Sequence, residues 1–90
     1  MPGLLFRART QMAVASALRQ KGFGILEARR LAASVDDDTI HLAMSMAPPS
    51  VANAVGALGD GSILQAILDF FASPLGQQLI QLLVSLLLGL

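Results

Sequence analysis

The sequence predicts an all-α protein built from several short helices, and three observations carry that prediction. Apolar residues recur at three- and four-residue intervals instead of alternating, alanine and leucine outnumber the β-branched residues, and glycines and prolines cut the chain into short segments. The chain has 90 residues, which is one domain's worth at most. It is 54% hydrophobic and 13% charged, where a soluble domain carries roughly 45–50% apolar and about 25% charged residues.

The first helix is predicted from Leu4 to Lys21, with Gly22 as its left-handed terminator and Phe23 supplying the apolar contact beyond it. A second spans Gly24 to Ser34, turning Ile25, Ala28, Leu31 and Ala32 inward and Glu27, Arg29 and Arg30 outward. The run Asp36, Asp37, Asp38 opens a third over Thr39 to Met46, because carboxylates satisfy free N–H groups and oppose the positive end of the helix dipole. Pro48 and Pro49 stop it. Ser50 is expected to cap a short fourth helix, Val51 to Leu58, closed by Gly59, Asp60 and Gly61. Ser62 and Gln65 have the spacing of a capping box for a fifth helix, Ile63 to Ala72, and Ser73 with Pro74 starts a last one from Leu75 to Leu90. Three regions follow: a basic three-helix head over residues 1–47, a Pro/Gly-rich connector with a short helix over 48–61, and an apolar helical hairpin or membrane segment over 62–90.

Net charge is zero but segregated. Arg7, Arg9, Arg19, Lys21, Arg29 and Arg30 face Glu27 alone in the first thirty residues, a net of +5, and the five aspartates leave −5 for the rest. Those six cations are the candidate contacts for an anionic partner. Nucleic acid is an unfavoured one, since no aromatic residues interleave the basic ones for stacking. The Arg-rich, acid-poor composition of residues 1–26 also fits a mitochondrial targeting peptide.

From Ser62 onward the only charged side chain is Asp69. Water is a poor solvent for that surface, so the expectation is that it is covered by lipid or by another protein. Gln78, Gln81, Ser85 and Gly89 step by three and four, stacking small or polar groups along one face of a helix, as helices that meet closely in lipid do. A sixteen-residue helix is roughly 24 Å long at 1.5 Å per residue, short of a hydrocarbon core of about 30 Å. The candidate interaction residues are Gln78, Gln81, Leu82, Leu83, Ser85, Leu86 and Leu87, with Leu79 packing beside them.

Chemistry is not legible. Without cysteine there is no disulfide or thiolate, and His41, with Asp37 and Asp38 in one helical turn, makes a poor metal site because those carboxylates are needed at the helix start. No nucleophile elbow or phosphate loop occurs. The expectation is a non-enzymatic protein without cofactor or metal.

Residues 18–46 resemble the three-helix ubiquitin-associated domains, through Leu18-Arg-Gln-Lys-Gly-Phe23, then Glu27-Ala28, an acidic turn, and Ile40 with Ala43. In that family a Gly-Phe loop joins the first two helices, so the resemblance implies a small protein-binding module. Lys21 stands where those domains carry methionine, and their second loop is here three aspartates.

The function expected from these features is a structural or assembly subunit that docks its apolar C-terminal helices into a membrane-associated complex or into a multimer such as a virion, with itself or other subunits as partners. Its location would be membrane-associated or inside a large assembly. A holin-like or pore-forming protein and a ubiquitin-associated-like binding module with an apolar anchor are the alternatives.

Overall fold

The computed structural model describes residues 3–59 and 63–89, and six α-helices make up the regular structure there: α1 (Leu4–Gln20), α2 (Ile25–Ala33), α3 (Asp37–Met46), α4 (Pro49–Leu58), α5 (Leu64–Ala72) and α6 (Pro74–Leu88). The helix ends show why the chain breaks where it does. Gly22 takes φ +104°, a conformation open to glycine, and this lets the Phe23 N–H reach back to the Leu18 carbonyl at 3.2 Å and close α1. Asp36 caps α3: one of its carboxylate oxygens accepts both the N–H and the hydroxyl of Thr39, each at 2.8 Å. Those two hydrogen bonds, the backbone one first, hold the Asp36 carboxyl below its ordinary pKa of 3.8.

Two caps differ from expectation. α4 begins at Pro49 with Pro48 in the capping position, so Ser50 lies inside the first turn and caps nothing. Proline is suited to that first turn because it needs no N–H there. Ser62 of the expected capping box lies outside the described residues, and the Gln65 amide donates instead to Asp69 at 2.8 Å, one turn along α5. Ser73 does cap α6 as expected, accepting from the Gly76 N–H at 3.3 Å ahead of the first-turn Pro74.

The main departure concerns the C-terminal helix. α6 is the centre of the fold, with α1, α3, α4 and α5 all packed against it. Leu79 and Leu83 are fully enclosed, and Gly76, Ile80 and Val84 are buried with them. Burying a leucine or isoleucine side chain stabilises by roughly 1.5–3 kcal/mol, and α6 supplies more buried apolar side chains than any other described helix. The expectation that the segment from Ser62 onward must be covered by lipid or another protein is therefore corrected for its buried stripe. The first fifty-eight residues supply three of the covering helices. The radius of gyration, 12.1 Å, agrees with this: a packed domain of this length has a radius of about 12 Å, which leaves no helix projecting.

α1 contributes a narrow stripe, Phe6, Thr10, Val14 and Leu18, one residue per turn. Thr10 is buried among apolar neighbours and returns its hydroxyl to the Phe6 carbonyl at 2.8 Å, so its polarity is satisfied locally. Phe6 also stacks at 6.0 and 5.4 Å from Phe70 and Phe71, whose own rings meet edge-on at 5.1 Å. This cluster fastens the start of α1 to the end of α5. Gly76 sits where α6 passes closest to α5. A Cβ there would strike the Phe70 carbonyl oxygen and come within 2.7 Å of Phe71 Cα. The two apolar helices consequently meet at a corner of 78° across Ser73.

α1 and α2 form the most extensive helix pair, joined by the Gly22-Phe23 loop, whereas α3 packs mainly on α6 and α4. Residues 18–46, the span of the ubiquitin-associated resemblance, hold only the end of α1, and α3 packs mainly on helices outside that span. The α2–α3 turn is tied to α1 by Gln11, which donates to the Val35 carbonyl at 2.8 Å, and by the Arg7–Asp37 ion pair at 3.5 Å. No buried side-chain nitrogen or oxygen lacks a partner among the described residues.

Candidate functional site

Burial sorts the residues singled out on α6. Leu83 belongs to the core, Leu82, Ser85, Leu86 and Leu87 are half-buried, and Gln78 and Gln81 are exposed. The regular polar spacing that marked a helix seam therefore places Gln78 and Gln81 on the outward face of α6, opposite the buried leucines.

That outward face is one wall of a groove of about 560 Å³. Gln77, Gln78, Gln81 and Leu82 line it from α6 with Pro74 at its end, and Met46 and Pro48 from the α3–α4 joint form the other side. The two proline-stopped helix ends create the opening. Residues Ala47 and Pro48 run extended, so the chain cannot fill the space with a further helical turn. Gln77 spends its amide on the Phe71 carbonyl at 2.8 Å. Gln78 and Gln81 make no side-chain hydrogen bond among the described residues, so two amides stand free beside an apolar floor. No charged residue lines the groove. An apolar concavity with a few free donors and acceptors is suited to a polypeptide, whose backbone carries the complementary groups.

Of the groove residues, Gln78, Gln81 and Leu82 were legible from helical spacing. Met46, Pro48, Pro74 and Gln77 were not, because their contribution depends on α3 lying against α6, a contact between segments some thirty residues apart. Exposed methionine beside a double proline was the available signal.

The basic residues disperse. Arg7 is half-buried and paired with Asp37, Arg9 lays its guanidinium 3.7 Å from Met12 Sδ, and Arg19, Lys21, Arg29 and Arg30 are exposed. Arg29 lines a second groove of about 480 Å³ between α1 and α2, with Ala8, Gln11, Met12, Ala15, Ala32 and Ala33. Among the described residues no group of three or more metal-ligating side chains comes together. No single described helix is long and apolar enough to cross a membrane, and α5 and α6 meet that test only as a bent pair, by length and composition.

In comparison with known proteins, no family model, no curated protein and no solved structure matches the chain.

Proposed function

We propose that the protein is a non-enzymatic assembly subunit that docks onto other protein subunits through the outward face of α6. One observation carries this reading: Gln78 and Gln81 present uncommitted amides beside the apolar wall of Met46, Pro48, Pro74 and Leu82, in a groove that holds no charge. Catalysis needs a nucleophile, an acid–base pair or a metal set at such a concavity, and glutamine, methionine and proline supply none of them. They do supply shape, apolar area and hydrogen bonds with low cost of desolvation, which is what a polypeptide surface requires. Docking would then use the half-buried and exposed residues of α6 and leave Leu79 and Leu83 inside.

The experiment is a surface substitution that spares the core. Gln78→Lys and Gln81→Lys both lie on the exposed side of the groove wall, so each should keep the helical circular dichroism and melting profile while reducing incorporation into the native assembly, purified from its source, at least tenfold. Normal incorporation of both folded variants contradicts the reading.

A second reading has a specific observation behind it, the joint apolarity of α5 and α6. In it the corner at Ser73 opens and the pair enters a bilayer. Dye release from liposomes separates the two, since a docking subunit leaves vesicles intact.

A further inference from the structure

A second surface carries an inference independent of the α6 groove. Between α1 and α2 the floor is set by Ala8, Ala15, Ala32 and Ala33, side chains so short that a third helix can approach closely. One edge is cationic: Arg29 lines the α2 side and forms no ion pair among the described residues. A ligand matched to this groove is a helix with an apolar stripe bordered by carboxylate.

The chain carries such a helix. On α5, Ile67 and Phe70 turn into the core, while Leu64, Leu68 and Ala72, spaced four apart, form an exposed stripe. Leu64 and Leu68 are 39% and 40% exposed, and Ile63 just ahead of the helix is 70% exposed. Asp69 flanks that stripe, exposed, with Gln65 as its hydrogen-bond partner. The whole-chain charge distribution agrees: the groove lies in the +5 segment and α5 in the −5 segment, with zero net charge to oppose association.

We propose that the α1–α2 groove receives α5 of a second copy of this chain, with Asp69 of one copy set against Arg29 of the next. Nucleic acid fits the cation but not the floor, which offers alanine and methionine and no aromatic ring for base stacking. The contact is heterologous, since groove and ligand are different surfaces, so each docked copy leaves one of each open and further copies can add.

The test is sedimentation equilibrium of the full chain from about 10 μM to about 1 mM, a range that reads affinities down to the weakest specific contacts. Self-association is expected, weakening several-fold as salt rises from about 50 to about 500 mM, because partly exposed charges are screened. Arg29→Glu and Asp69→Arg should each weaken it at least tenfold with melting profiles unchanged, since both side chains are exposed. Mixing the two variants should restore association in alternating order, because the intact groove of one meets the intact α5 of the other and the two exchanged charges are again opposite at the remaining contact. A chain monomeric throughout, association unaffected by either substitution, or failure of the mixture to pair overturns the proposal. Binding of anionic vesicles by a monomeric chain, lost in Arg29→Glu, would overturn it in favour of a lipid surface.

Discussion

α5 and α6 are neighbours in the chain, both strongly apolar and joined by a single residue, yet the fold treats them differently. α6 runs through the middle, with four helices around it and its Leu79 and Leu83 sealed; α5 lies against α1, α4 and α6 and leaves Leu64 and Leu68 open. Composition states how much burial a segment demands. Position among neighbours decides whether the demand is met inside the chain or left for a partner.

Four substitutions break or sharpen that contrast. Leu83→Asp puts an unpaired carboxylate at the centre of the core and should cost more than about 4 kcal/mol, leaving no cooperative unfolding transition in urea. Its counterpart on α5, Leu68→Asp, should cost only about 1–2 kcal/mol in the same titration, since the residue is already 40% exposed. Gly76→Ala drives a methyl group into the backbone of α5, which cannot yield as a side chain would, and should cost about 3 kcal/mol by thermal or urea unfolding. Ser73→Ala removes the cap at the corner and should cost about 1 kcal/mol.

The smallest effect is electrostatic. The Asp36 carboxyl titrates below 3.8 in the folded chain because Thr39 hydrogen-bonds its charged form. Its contribution is fully present above 3.8 and fades as pH falls through the lowered folded value, where the folded state finally binds the same proton. Asp36→Asn does not titrate, so the wild type should lose its advantage over this variant below pH 3.8, read from urea midpoints at successive pH values.

The local structure was legible because its causes are local. Gly22, Asp36, Pro48 and the Ser73-Pro74 pair each act on backbone within a few residues, and each marks a boundary where the spacing placed one. Ser50 misled because Pro49 beside it competes for the same turn and wins by its fixed backbone angle. The place of α6 was not legible. Its apolarity is the same whether lipid, a partner or α1, α3 and α4 cover it, and only the long-range pairing of Leu79 and Leu83 with the front of the chain distinguishes these. The groove shared this blindness on one side: spacing located Gln78 and Gln81, and tertiary packing supplied Met46 and Pro48.

Whether α6 is sealed by its own chain is tested most directly by native-state hydrogen exchange on the dilute protein without detergent. The account predicts that the amides of Leu79 to Val84 exchange slowest of all, opening only with global unfolding, while those at the start of α5 exchange faster. Rapid exchange across Leu79 to Val84 until detergent or a partner is added would contradict it.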